Sequence, residues 1–143
     1  MHPQMRLLDR LQQLDDELDQ LRQLLKRLDP GEHLRQRLNE SRQRLEEIKQ
    51  RYRELQAAAH DQQLQLQSAE ERIRHAEAEL YSGRIRNPRE LEALQHDIDA
   101  MRRAHDQMEL ELLRLWEEME TQGQQIQETE ADLRQIEVMF EQH

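Results

Sequence analysis

Three arginines lie close together in a chain that is otherwise acidic. They are Arg84, Arg86 and Arg89, with Tyr81 and Asn87 beside them. Guanidinium groups next to an aromatic ring can hold phosphates, stack on an unpaired base or bind an acidic protein surface. The competing interpretation is an exposed loop whose arginines only keep it soluble. These five residues form the candidate binding site.

Residue types used in metal binding and in acid–base catalysis are also present, but their arrangement in the sequence suits neither role. The seven histidines include no pair four residues apart, and the chain has no cysteine. Glu92 and His96 have helical spacing, but two ligands without a third make a poor metal site. Carboxylates are abundant, yet acid–base catalysis needs a pocket that shifts their pKa values. We therefore predict a protein that is not an enzyme and that has neither a metal site nor a cofactor in this chain.

The elements that position these residues follow from the leucine pattern. With 36% charged residues and 3% aromatic residues, 143 residues cannot fill a broad globular core. Apolar residues instead recur at alternating spacings of 4 and 3, which is the repeat of helices that bury a narrow seam. We predict an all-α fold: a long antiparallel coiled-coil hairpin over residues 30–143, with its turn at 81–89, and an additional N-terminal helix over 1–29.

Three apolar ladders define these helices. The first consists of Leu7, Leu11, Leu14, Leu18, Leu21, Leu25 and Leu28. The second occupies positions 34, 38, 41, 45, 48, 52, 55, 59, 62, 66, 69, 73, 76 and 80. The third occupies positions 91, 94, 98, 101, 105, 108, 112, 115, 119, 122, 126, 129, 133, 136 and 140. The second and third ladders have similar lengths, as the two arms of a hairpin require.

The N-terminal helix has a wider apolar stripe than a two-helix seam needs, because Leu8 and Leu24 lie beside its ladder. It ends at a break where Asp29 is suited to cap the next helix and Pro30 to occupy its first position. We expect this helix either to fold back onto the hairpin or to pair with a second copy of the chain. Candidate contact residues lie off the main seam: Trp116, Val138 and Met139.

The turn and the register can also be predicted. Gly83 is suited to the left-handed conformation that ends a helix, and Asn87 followed by Pro88 is a helix-starting pair. Folding about this turn pairs residues whose numbers sum to roughly 170, which places Ser41 near Thr129. His105 lies on the seam, where it either sets the register or loosens the packing.

Charge supports the antiparallel pairing. Residues 106–143 carry 2 positive and 11 negative charges, and this acidic arm faces the basic segment Arg35–Arg53. The predicted ion pairs are Arg37 with Asp132, Arg42 with Glu130, and Arg51 with Glu118. Exposed pairs contribute about 0 to 1 kcal/mol each, so they select an orientation more than they stabilise it.

The turn resembles that of a bacterial family in which a long coiled-coil hairpin is joined to a C-terminal four-cysteine zinc ribbon. The matching residues are Leu80, Tyr81, Gly83, Ile85, Asn87, Pro88, Arg89, Glu90, Leu91, Glu92, Leu94, Gln95 and Ile98. Asp97 replaces the usual glutamate. Outside the turn, the resemblance is limited to the leucine-rich first segment, a proline near position 30 and two long helices.

The chain departs from the family pattern because it has no cysteine and ends before the ribbon would begin. Our interpretation is that the ribbon was lost or that the chain is a truncation, and zinc would belong only to such a ribbon. The resemblance implies a cytoplasmic protein that binds other proteins or nucleic acid. In some branches of the family it implies association with alternative sigma factors of the transcription machinery.

The predicted function is a non-enzymatic interaction protein that presents its basic hairpin tip to a protein partner, in transcription or gene-expression regulation. The alternative is binding of RNA or single-stranded nucleic acid by the same tip. Two hairpin architectures fit less well: transcript-cleavage factors carry acidic tips, and prefoldin-like chaperones expose apolar ones. No run of 18 apolar residues occurs, so we expect a cytoplasmic protein without a membrane span.

Overall fold

The computed structural model describes residues 3–28 and 30–142, and these residues form three α-helices. Helix α1 spans Pro3–Leu28, α2 spans Pro30–Leu80 and α3 spans Pro88–Glu141. Helices α2 and α3 pack against each other as a hairpin, which confirms the predicted all-α fold. The capping role predicted for Asp29 lies outside the described residues. None of the helices in the described ranges is both long and apolar enough to cross a membrane.

The chain divides into two compact units, each formed by segments of both long helices. One contains Leu45–Glu128, including the turn, and the other contains Met1–Arg44 with Thr129–His143. In the first unit the buried apolar residues are Leu45, Ile48, Leu55, Ala59, Ala69, Ala76, Ile98 and Leu112. In the second they are Leu34, Leu38 and Ile136, joined by the polar Thr129.

The two long ladders coincide with the buried seam. Every position of the second and third ladders is buried or half-buried, including the polar residues that interrupt them. Gln62 is accommodated because its Nε2 donates a hydrogen bond to the main-chain oxygen of Met108 at 3.2 Å. Ser41 and Thr129 line the same shallow groove, as the predicted register requires. Gln62 is thus tolerated in the seam because a main-chain group of the facing helix satisfies it.

Only part of the predicted charge pairing is formed. Arg51 Nη2 lies 3.2 Å from Glu118 Oε2, as predicted. Arg42 Nη2 instead lies 3.6 Å from Glu137 Oε1, two helical turns beyond the predicted Glu130. Arg37 and Asp132 line the same groove without an ion pair between them. Long exposed side chains choose among several carboxylates on an acidic helix, so helix register alone does not determine their partners.

Helix α1 differs from the two long helices because its leucines from Leu7 to Leu25 are all exposed. Every side chain from Pro3 to Lys26 is exposed. Leu8 and Leu24, together with Val138 and Met139 of α3, therefore present apolar surface to solvent. Docking of α1, within the chain or with a second copy, stays a prediction.

Candidate functional site

The hairpin tip is the loop 81–87 with the first turn of α3. Helix α2 ends at Leu80, and Gly83 adopts a φ of 76°, the left-handed conformation predicted for it. The non-helical segment is shorter than the predicted turn at 81–89, because Pro88 already occupies the first helical position of α3. A proline is favourable there, since its missing N–H would have no helical partner.

Two side chains near the ends of the loop form hydrogen bonds with main-chain groups. Ser82 Oγ donates to the main-chain oxygen of Glu79 at 2.7 Å and accepts the N–H of Arg84 at 3.2 Å. Asn87 Oδ1 accepts the N–H of Arg89 at 2.9 Å, which confirms Asn87 as the N-cap of α3. These bonds give the loop a defined backbone, so the side chains that it carries project from fixed positions.

The charged and aromatic side chains of the tip are exposed. Arg84, Arg86 and Arg89 are all open to solvent, and Tyr81 is 80% exposed. Within the described part of the chain, none of the three guanidinium groups forms an ion pair. Of the predicted site residues, Asn87 is already used in capping, whereas the other four leave their functional groups available to a partner.

Some arginines on the helices form ion pairs, which none of the three tip arginines does within the described ranges. Arg51 pairs with Glu54 and Glu118, Arg53 with Glu46, and Arg102 with Glu77. The hydrogen bond that Arg102 donates to Glu77 raises the pKa of Arg102 above its usual value. Other helix arginines, such as Arg72, Arg74 and Arg103, also form no ion pair within the described residues, so the tip is distinguished by its composition: residues 81–89 contain three arginines and no acid.

The residues predicted to form a helix-docking surface lie at several places in the chain. Leu8 and Leu24 lie on α1, and Val138 and Met139 lie on α3 in the same unit. Val138 and Met139 line an apolar depression with Ala131. The remaining residue, Trp116, belongs to the other unit, where it lines a groove that includes Leu64 and Leu112. All five predicted residues are exposed.

A cluster around His105 was missed by reasoning from the sequence. Its Nε2 lies 3.1 Å from Glu70 Oε1 on α2, and its Nδ1 lies 3.2 Å from Glu109 Oε1 on α3. Asp106 is also near Nδ1, at 3.4 Å. The spacing of His105 and Glu109 was a usable signal, but the third member depends on where α2 lies beside α3.

These groups could supply three ligand atoms to a cation, since the nearest atoms of Glu70, His105 and Glu109 lie within 4.8 Å of one another. However, the two carboxylates face opposite nitrogens of the ring, whereas a bound ion would use one nitrogen. The geometry suits a protonated imidazole that donates a hydrogen bond on each side. The hydrogen bond to Glu70 accordingly raises the pKa of His105; burial opposes this effect, and Asp106 and Glu109 add to it.

Stability should therefore depend on pH through His105. Because its pKa in the folded chain is raised above 6.5, its contribution is fully present below pH 6.5 and is lost as the pH rises through the folded pKa. We expect His105→Gln to lower the melting temperature more at pH 6 than at pH 8.5. Comparing the two proteins at each pH removes the general effect of the acidic net charge. An equal loss at both pH values would contradict the prediction.

Comparisons with known proteins do not assign a function to this site. No family model matches the chain, and searches of curated proteins and of solved structures found no match. The resemblance of the turn to the zinc-ribbon family stays a prediction. The function is accordingly proposed from the exposed and unpaired groups of the tip.

Proposed function

We propose that this chain is a non-enzymatic interaction protein whose hairpin tip binds an acidic surface of a protein partner. The observation that carries the proposal is the set of three exposed guanidinium groups that form no ion pair in the described residues, beside an exposed tyrosine. Arginine and tyrosine are the residue types that most often dominate the energetics of protein interfaces.

Electrostatics supports an acidic target. The chain has a net charge of -10, whereas residues 81–89 contain three arginines and no acid. An acidic partner is repelled by the net charge of the chain and attracted by the arginines of the tip, which favours the tip as the point of contact. The resemblance of the turn suggests one partner of this kind, an alternative sigma factor or another component of the transcription machinery.

A second candidate function is binding of RNA or single-stranded nucleic acid. The exposed ring of Tyr81 supports it, because bases stack on such rings while arginines neutralise phosphates. If the three arginines neutralise three phosphates, raising the salt concentration from roughly 50 to 200 mM should reduce the affinity about 20-fold. We rank this function second, because a cluster of three arginines is small and the net charge of -10 opposes the approach of phosphates to the chain.

The test is affinity capture from a bacterial lysate with and without nuclease, using the intact chain and Arg84→Ala/Arg86→Ala/Arg89→Ala. We expect the tip variant to lose at least 90% of the captured partner, about a tenfold weakening that corresponds to roughly 1.4 kcal/mol. Nuclease should leave capture by the intact chain unchanged. Loss of capture on nuclease treatment would instead identify nucleic acid as the ligand.

A matched control separates the tip from general charge. Arg72→Ala/Arg74→Ala/Arg103→Ala removes the same three charges from exposed positions on α2 and α3. It should retain capture, and both variants should retain the helical circular-dichroism signal of the intact chain. Equal capture by the tip variant and the intact chain would refute the proposal.

A further inference from the structure

Helix α1 carries an apolar stripe that is left uncovered by the described residues. Nine large apolar residues along it are 48 to 68% exposed: Met5, Leu7, Leu8, Leu11, Leu14, Leu18, Leu21, Leu24 and Leu25. Scattered exposed leucines are normal, but a continuous stripe of this length marks an interaction surface. Helices in proteins take most of their stability from packing of the apolar face against a neighbour. Helix α1 therefore needs a partner.

The spacing of the apolar residues in the stripe indicates what kind of partner can pack against it. Leu11, Leu18 and Leu25 occupy a positions of a heptad repeat, and Leu7, Leu14 and Leu21 occupy d positions. This a/d seam, widened by Leu8 at an e position and Leu24 at a g position, is a pattern with which one helix packs against another of the same repeat. The flanking g positions are 10, 17 and 24, and the flanking e positions are 8, 15 and 22.

Charges at these flanking positions identify the partner. In a parallel pair of identical helices, each g residue faces the e residue five positions later on the other helix. Arg10 then faces Asp15 of the second copy, and Glu17 faces its Arg22. Both contacts join opposite charges and, by symmetry, each occurs twice. None of these four side chains forms an ion pair within the described residues.

The antiparallel alternative is disfavoured by the same residues. When two copies of α1 overlap fully in antiparallel orientation, e positions face e positions and g positions face g positions. Asp15 then meets Asp15 of the second copy, and Glu17 meets its Glu17. Like charges at the centre of the interface oppose this arrangement.

We infer that α1 forms a parallel two-stranded coiled coil with α1 of a second copy of this chain. The inference does not depend on the proposed function, because Arg84, Arg86 and Arg89 lie outside α1. A dimer would present two tips for each assembly. The tip variant described above should therefore remain dimeric, so the two proposals can fail separately.

Complementary charge reversal tests the inference with the full-length chain. Arg10→Glu/Arg22→Glu makes both interhelical contacts acidic, and Asp15→Arg/Glu17→Arg makes both basic. Sedimentation equilibrium should give a dimer for the unaltered chain and at least a tenfold larger dissociation constant for each variant alone. An equimolar mixture of the two variants should recover dimers, because every contact then joins opposite charges.

A control and an orientation measurement complete the test. Asp16→Arg/Asp19→Arg changes the net charge as much as Asp15→Arg/Glu17→Arg but acts at outward heptad positions, so it should leave dimerisation intact. Because the chain has no cysteine, Leu7→Cys introduces a single thiol, and a disulfide oxidant such as oxidised glutathione should link the two copies of it within a parallel dimer. A monomeric unaltered chain, an unrecovered mixture or an absent disulfide would each overturn the inference.

Discussion

Replacing Ile98 with alanine is expected to lower the free energy of unfolding of the hairpin by about 2 to 5 kcal/mol. Ile98 is 0% exposed, and it is the only fully buried large side chain among the described residues. On α2 the same unit buries Ala59, Ala69 and Ala76, which contribute little apolar volume. Truncating Ile98 therefore leaves a cavity that two long helices cannot easily close.

Urea denaturation followed by the helical circular-dichroism signal measures this change. The matched control is Leu110→Ala, on the same helix in the same unit, where the side chain is 49% exposed. We expect that substitution to alter the free energy of unfolding by less than about 1 kcal/mol. Similar losses for the two variants would show that burial in this seam does not determine stability.

Two glycine-to-alanine substitutions are expected to change stability in opposite directions. Gly83 has a φ of 76°, and a side chain added there would meet no atom within 4 Å, so the penalty is purely one of backbone conformation. An L-residue in this region costs about 1 to 2 kcal/mol, and Gly83→Ala should destabilise the hairpin by that amount. Gly123 lies inside α3, where alanine is favoured over glycine by about 0.5 to 1 kcal/mol.

There is room for the second substitution. A Cβ atom at position 123 would lie 3.8 Å from Tyr52 Cε2, an ordinary van der Waals contact. Gly123→Ala should therefore raise the urea midpoint, whereas Gly83→Ala should lower it. The two variants should shift the urea midpoint in opposite directions. A shift in the same direction for both would contradict this account of the turn.

The seam and the turn could be predicted because both depend on local physics. Alternating spacings of 4 and 3 specify which helix face is apolar, and every predicted position of the two long ladders is buried or half-buried. Gly83 and Asn87 adopt their predicted roles because left-handed glycine and side-chain capping are decided within a few residues. Tyr81 and the three arginines were placed at the tip by the same local reasoning, although their binding role stays a prediction.

The sequence by itself thus determined the three helices, the buried faces of the hairpin and the chemistry of its tip. Only the tertiary structure decided that Arg42 pairs with Glu137 and that Glu70 faces His105 across the seam. The physical reason is that a heptad pattern specifies a face but not the axial offset between facing helices. The axial offset decides which partners are within reach of charged side chains long enough to cross the seam. No local sequence pattern specifies this offset.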